Sequence, residues 1–162
     1  MEIKDFIKLL FAIICVEAIG IFGAIFTIPA IPAWYVLLSK PALTPPSWVF
    51  GSAWTLLFAL MGIAVYMILS KGWARREVKI AFGIFSAQLA LNVLWSALFF
   101  GTRNPGAAFA EIIILWLAIL ATIAAFSKIS KAAAWLLVPY ILWVSFAAYL
   151  NYAIWQLLLV SN

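Results

Sequence analysis

Several tryptophan and amide side chains of this chain lie inside long apolar stretches, where they could bind a flat ligand. Three deep tryptophans, Trp54, Trp95 and Trp143, occur in or beside the same faces as the amides Asn92 and Asn151. Flat aromatic walls with a few hydrogen-bonding groups are the usual make-up of a small-molecule site. The pattern therefore predicts a mostly apolar pocket. Other tryptophans near the ends of apolar stretches fit the aromatic belts of a membrane interface, and they are at positions 34, 48, 73, 135 and 155.

Helical spacing adds further residues to this pocket. Phe58 follows the first deep tryptophan by one helical turn, and Ala147 lies midway between the last deep tryptophan and the last amide. Gln88 and Ser96 flank Asn92 at intervals of four residues. Polar side chains inside a membrane helix need partners, so we expect this stripe to face the interior of a bundle.

Conventional metal and acid–base chemistry has few candidate residues in this sequence. There is no histidine and one cysteine, Cys15, which removes the commonest ligand of haem iron, zinc and copper and any paired-thiol site. No nucleophile–base pair occurs either. We therefore expect no metal site and no required cofactor. The net charge of +5 comes from basic residues scattered at the ends of apolar runs, so we expect no nucleic-acid partner.

The elements that position these residues are predicted to be membrane helices. Hydrophobic residues make up 69% of the chain and charged residues 9%, whereas about a quarter of a soluble domain is charged. The apolar runs are continuous, which favours helices, because a helix satisfies its own backbone in lipid. We predict an all-α polytopic membrane protein, with one domain of residues 1–162 formed by a bundle of five transmembrane helices. The spans are expected at about 6–28, 47–69, 80–100, 107–127 and 132–159.

A long loop over residues 29–46 is predicted between the first two spans. Pro41, Pro45 and Pro46 exclude a continuous helix there. The segment 34–54 also carries enough aromatic and aliphatic residues to fold against something, so we interpret it as an ordered cap that closes over the pocket.

Two acidic residues lie inside predicted spans, Glu17 in the first and Glu111 in the fourth. An acid near the middle of the bilayer costs roughly 2.5–3.5 kcal/mol on insertion scales, so it should face the bundle interior. A neutral, hydrogen-bonded carboxyl and a functional site are both open for these positions. Glu17 alone suggests a small ion- or proton-coupled transporter.

Small residues and basic residues predict how the protein assembles and how it lies in the membrane. Gly83 and Ala87 lie about a third of a turn from the polar stripe of the third span and would allow close approach of a second copy, so we expect a homodimer through this face. Eight of the ten basic residues fall on the side of the N-terminus. The positive-inside rule then places the N-terminus in the cytoplasm and the cap outside an inner (plasma) membrane.

Three segments resemble the translocator protein family, also called peripheral benzodiazepine receptors or tryptophan-rich sensory proteins (TspO/MBR). They are WYVLLSKPALTPPSWVFGSAW (34–54), AQLALNVLWSALFFG (87–101) and PYILWVSFAAYLNYAIW (139–155). The resemblance implies a five-helix bundle, often homodimeric, that binds porphyrins such as protoporphyrin IX and haem. It also implies lipids and benzodiazepine- or isoquinoline-type ligands as partners, and light-dependent degradation of protoporphyrin in some members.

The resemblance also implies site residues. The pocket tryptophans of the family fall on Trp54 and Trp143, which would be catalytic only if the protein is photochemically active, and the Trp-Tyr pair that begins the cap is Trp34 and Tyr35. Together with the spacing arguments, this completes the predicted ligand-binding set, which is Trp34, Tyr35, Trp54, Phe58, Gln88, Asn92, Trp95, Trp143, Ala147 and Asn151.

Three functions remain open from the sequence. The first is a tetrapyrrole-binding sensory or transport protein whose intramembrane aromatic pocket is closed by the cap. The second is an enzyme that degrades protoporphyrin IX oxidatively in light, with porphyrin as its substrate. The third is the ion- or proton-coupled transporter suggested by Glu17.

Overall fold

The computed structural model describes residues 2–161, and over this range the chain is helical and contains no strand. Five segments are long and apolar enough to cross a membrane, which confirms the predicted all-α membrane fold. The helices are α1 (Ile3–Ala33), α2 (Ser47–Leu69), α3 (Arg76–Ser96), α4 (Pro105–Ser127), α5 (Lys131–Trp135) and α6 (Val138–Ser161). The fifth span consists of α5 and α6 together. Met1 and Asn162, the ends of the predicted domain, lie outside the described residues.

The first helix is longer than the sequence predicted. We expected a loop to begin at residue 29, but α1 continues to Ala33 with Pro29 and Pro32 inside it. Proline has a helix-compatible φ, so the helix can pass through both positions, although each removes one backbone hydrogen bond. The backbone N–H of Trp34 then donates to the carbonyl of Ala30 at 2.9 Å. The loop is therefore confined to residues 34–46, and it begins with a 3₁₀ turn at Tyr35–Leu37.

The third and fifth spans both depart from a regular helix. After Ser96, α3 widens into a π-helical turn over Ala97–Gly101, a distortion that often accompanies functional sites. The fifth span, expected as one helix over about 132–159, is broken between Trp135 and Val138. Pro139 then lies in the first turn of α6, where its missing N–H costs no intrahelical bond.

The packed core lies among α2, α3, α4 and the fifth span. Met61, Phe85 and Phe126 are fully buried there, and the rings of Phe85 and Phe126 stack with centroids 5.7 Å apart. The first two helices approach closely because of one glycine. A Cβ at Gly62 would lie 2.6 Å from the Cα of Ile13, so a larger residue would push α1 and α2 apart.

Candidate ligand cavity

A cavity of about 360 Å³ lies between α1, α2, α3 and α6, with the start of the cap at one end. This volume falls within the range of small-molecule sites, roughly 300–1,000 Å³. Most of its wall is aromatic, aliphatic or glycine, with a few hydroxyl and amide groups. The fourth helix contributes no residue to the wall.

The cavity has two distinct ends, which follow from the order of the lining residues along each helix. The lining residues farthest from the cap are Glu17 on α1, Phe58 on α2, Asn92 on α3 and Ala147 on α6. We call these four residues the inner end. On α1 the lining extends from Glu17 to Ile31, which is roughly 20 Å at about 1.5 Å per residue. The cavity therefore extends from the middle of the membrane to the cap.

Paired aromatic rings form much of the wall. Trp54 packs against Phe58 with ring centroids 5.7 Å apart, and Trp95 stacks on Phe99 at 5.2 Å. Tyr35, the first cap residue on the wall, lies 6.4 Å from Phe99. Burial raises the pKa of the Tyr35 phenol, so its hydroxyl stays neutral. Ring faces and edges of this kind suit a flat aromatic ligand.

A buried hydrogen-bond network supports the inner end. The Nδ2 group of Asn92 donates to the Tyr140 hydroxyl at 3.0 Å, and that hydroxyl donates to Oε1 of Gln88 at 2.9 Å. Within residues 2–161, the side-chain carbonyl oxygen of Asn92 and the indole N–H of Trp54 form no hydrogen bond. Asn92 therefore offers an acceptor to a ligand, and Trp54 offers a donor.

Asn151 has a different role, because its side chain is fully used by the protein. Its Oδ1 accepts from the indole N–H of Trp95 at 3.0 Å, and its Nδ2 donates to the backbone carbonyl of Pro105 at 2.7 Å. These two bonds join α6 to α3 and to the start of α4. Asn151 thus fixes the ring of Trp95 against the cavity.

Most of the predicted ligand-binding residues come together in this cavity. Seven of the ten line it, and they are Tyr35, Trp54, Phe58, Asn92, Trp95, Ala147 and Asn151.

The other three predicted residues do not line the cavity. Trp34 packs edge-on against Phe99 at 5.7 Å, and Gln88 is buried in the network beneath the inner end. Trp143 packs against Phe50 at 5.9 Å, and it is Phe50 that belongs to the wall. Trp143 is therefore one ring away from the cavity, and its direct contact with a ligand stays a prediction.

Sequence reasoning missed most of the α1 wall. The lining positions of this helix include Glu17, Gly20, Ala24, Thr27 and Ile31, spaced three and four residues apart. This spacing is typical of one helical face, and it could have predicted the α1 wall from the sequence. Small residues on this face leave room for the ring of Phe58, because a Cβ at Gly20 would lie 2.4 Å from that ring.

Two other groups singled out in the sequence lie away from the cavity. Glu111 is 5% exposed, and neither of its carboxyl oxygens has a hydrogen-bond partner within the described part of the chain.

Gly83 and Ala87 are exposed on the outer face of α3, and a Cβ at Gly83 would meet nothing within 4 Å. Within residues 2–161 of a single copy, nothing covers Gly83 on this face. Between residues 2 and 161, no group of three or more His, Cys, Asp or Glu side chains could hold a metal ion.

The family model of the TspO/MBR family matches residues 11–156 of this chain. The chain belongs to the TspO/MBR family. The matched region includes the cap and every residue that lines the cavity. The cavity is thus built entirely from the part of the chain that defines a TspO/MBR protein.

Relatives from bacteria, archaea and animals agree with this membership. The tryptophan-rich protein TspO of Chlorobaculum tepidum is 46% identical over 140 residues, which cover 86% of this chain and 89% of the relative. The protein of the same name from Archaeoglobus fulgidus is 45% identical over 154 residues, covering 94% and 98%. The translocator protein of Bos taurus is 39% identical over 138 residues, covering 85% and 82%. Family membership and the five membrane-spanning segments together make this TspO/MBR protein an integral membrane protein.

Proposed function

We propose that this protein binds tetrapyrroles in the cavity between α1, α2, α3 and α6, as a sensory or transport protein of the membrane. Protoporphyrin IX is the ligand that needs fewest additional groups, since the sequence holds no histidine to ligate haem iron. The observation that carries the proposal is the wall formed by Trp54 and Trp95, with the unpaired carbonyl oxygen of Asn92 beside it. The name of the bovine relative, translocator protein, is in keeping with a role in moving a ligand.

The test is a titration of the purified protein with protoporphyrin IX, followed by the absorbance of the porphyrin and by quenching of tryptophan fluorescence. Stacking on an aromatic ring contributes about 0.5–1.5 kcal/mol beyond its area, so Trp54→Leu should raise the Kd about two- to tenfold. Trp73→Leu is the matched control, because Trp73 is exposed beside α3 and packs on Phe82 away from the cavity. Equal effects of the two substitutions would contradict the proposed site.

Competition tests the other ligand classes that the family resemblance implies. An isoquinoline- or benzodiazepine-type ligand that shares the cavity should displace protoporphyrin IX with a Kd that also depends on Trp54. Haem should bind more weakly than the metal-free porphyrin, because the cavity wall has no histidine, cysteine or methionine for the iron. Displacement that is insensitive to Trp54→Leu would place these ligands elsewhere, for example among the surrounding lipids.

A second function, light-dependent oxidation of protoporphyrin IX by dissolved dioxygen, is favoured by the same wall. A flat pigment in the cavity would contact the indoles of Trp54 and Trp95 directly, while Trp143 is separated from it by Phe50. If the indole takes part, Trp54→Phe should slow pigment loss under illumination by more than Trp143→Phe. Illuminated and dark samples with equal amounts of bound porphyrin give the comparison, and equal pigment loss in both would rule out this function.

We propose further that the protein lies in the inner membrane with its N-terminus in the cytoplasm. The basic residues of the 70–79 and 128–131 turns and of the N-terminus support this orientation. The test uses cysteines in a Cys15→Ser background. A membrane-impermeant maleimide added to intact cells should label Ser39→Cys, in the cap, and spare Ser70→Cys. The reverse pattern would invert the topology.

A further inference from the structure

The charges in and around the cavity are unevenly distributed. Of the five acidic residues in the chain, one lines the cavity, and it is Glu17. None of the basic residues is part of the lining. The ammonium group of Lys40, in the cap, contacts the ring of one lining residue, Tyr35.

Glu17 lies at the inner end, roughly 20 Å along α1 from the last lining residue of that helix. Its carboxyl forms no ion pair and no hydrogen bond with the rest of residues 2–161. Acids inside membrane helices face the bundle interior or a water-filled cavity, and Glu17 does so through the cavity wall. The carboxyl group of Glu17 is therefore unpaired and open to one end of a ligand in the cavity.

Lys40 marks the opposite end. Its Nζ lies 4.8 Å from the centre of the Tyr35 ring, which is part of the cavity wall. The same ammonium group donates to the backbone carbonyls of Val36 at 3.3 Å and Leu38 at 3.2 Å. No carboxylate among the described residues neutralises it. The backbone of the cap thus holds the unneutralised ammonium group of Lys40 at the cap end of the cavity.

We infer that the cavity is electrostatically polarised and selects ligands whose carboxylates all lie on one edge. Lys40 binds that acidic edge at the cap, and Glu17 rejects carboxylates from the inner end. This inference rests on the proposed tetrapyrrole function and names its substrate class, a porphyrin with one acidic edge and one apolar edge. A porphyrin with carboxylates around its whole rim would bring at least one of them towards Glu17. Repulsion between this carboxylate and that of Glu17 in a partly desolvated site would strongly disfavour binding of such a porphyrin.

Three porphyrins separate the two effects. Protoporphyrin IX carries two propionates on one edge, its dimethyl ester carries none that are charged, and coproporphyrin carries one propionate on each pyrrole ring. Each is titrated against the full chain in mild detergent and against Lys40→Gln, Glu17→Gln and Glu17→Asp. Glu111→Gln is the control for removal of a membrane-embedded acid outside the cavity, because Glu111 is buried and does not line it.

Removal of the cation should weaken binding of the diacid only. A hydrogen bond to a charged group is one of the stronger polar contacts, so Lys40→Gln should raise the Kd of protoporphyrin IX about tenfold to a hundredfold. The same substitution should leave the Kd of the dimethyl ester within twofold. Glu17→Gln should strengthen binding of coproporphyrin about tenfold and change that of protoporphyrin IX less than twofold. Glu17→Asp, which keeps the charge, should behave as the unmodified protein does.

Each result has a distinct meaning. If either selective effect is missing, or if Glu111→Gln reproduces that of Glu17→Gln, the polarised cavity is wrong while tetrapyrrole binding stands. If the unmodified protein binds neither protoporphyrin IX nor its ester, the proposed function fails and this inference falls with it.

Discussion

The first and fourth helices have opposite roles in the molecule, although both are apolar spans of similar composition. Helix α4 packs by one face into the core and contributes nothing to the cavity wall. Helix α1 has three buried residues, Val16, Gly23 and Ala30, and contributes a long stripe to the cavity. Large apolar residues on the buried face thus make α4 a scaffold, while glycine, alanine and polar residues on the inward face make α1 a wall.

From this difference we expect stability to depend mainly on α4 and ligand binding mainly on α1. Substitutions on the buried face of α4 should change the folding of the protein, and substitutions on the inward face of α1 should change what it binds. Glu111 and Glu17 illustrate the division, because the acid on α4 is enclosed by protein and the acid on α1 faces the cavity.

The largest effect is expected in the scaffold. Phe126 is fully buried and stacks on Phe85, so Phe126→Ala should destabilise the protein by about 3–5 kcal/mol, as for other large-to-small core substitutions. Thermal unfolding in detergent measures this, with Leu117→Ala as the control, since Leu117 is 55% exposed on the same helix. Porphyrin affinity of the folded fraction should remain unchanged. A comparable loss for both variants would remove the distinction between the buried and outer faces of α4.

The next effect is expected at the wall. A side chain at Gly20 would meet the ring of Phe58 and enter the cavity, so Gly20→Leu should weaken protoporphyrin IX binding by tenfold or more. Gly51 also lines the cavity, but a Cβ there meets nothing within 4 Å. Gly51→Ala is therefore the matched control and should bind almost normally. If Gly20→Leu unfolds the protein without first weakening binding, α1 is part of the scaffold as well.

A third face tests whether the division extends to assembly. We propose that the exposed Gly83 and Ala87 of α3 form the homodimer interface, since small residues allow backbones to approach closely. Gly83→Leu should convert the dimer to a monomer in mild detergent, with unfolding and porphyrin affinity little changed. Size-exclusion chromatography with light scattering measures the mass. A dimer that survives the substitution would place the interface on another exposed helix face.

The smallest effect is expected in the cap. Pro45 and Pro46 restrict the chain before α2, and replacing both with glycine increases the entropy that must be lost when the cap orders. The dissociation rate of protoporphyrin IX should rise about threefold, with little change in unfolding temperature. Stopped-flow displacement measures the rate, and proteolysis of residues 34–46 with and without porphyrin shows whether order depends on the ligand. Unchanged dissociation and ligand-independent cleavage together would exclude the cap from the site.

The spans could be read from the sequence because hydropathy and helix length are one-dimensional properties. Helix α2 begins at Ser47 and ends at Leu69, as predicted, since the proline pair before it stops any earlier start. The end of α1 could not be located, because Pro29 and Pro32 are compatible with both a helix and a loop. Only packing against the other helices decides between the two.

The cavity residues could be predicted only in part, because contacts between helices are not encoded in the spacing along one helix. Asn92, Trp54 and Ala147 were found because the spacing along each helix identified a polar or aromatic face. Whether Trp143 reaches the cavity depends instead on Phe50 of another helix, and no spacing within one helix contains that information. Seven of the ten predicted residues line the cavity. The sequence predicted which face of each helix points inward, but it did not predict how the helices are rotated relative to one another.

The two prolines near the end of α1 have a consequence for how the wall can move. Each leaves one carbonyl of the preceding turn, on Ile25 and on Ile28, without its backbone partner. Two backbone hydrogen bonds are therefore missing within eight residues, which makes this end of α1 easier to deform than its middle. Its amides should exchange with deuterium sooner than those around Val16. The end of α1 beside the cap can therefore bend while the rest of the helix keeps its packing against α2.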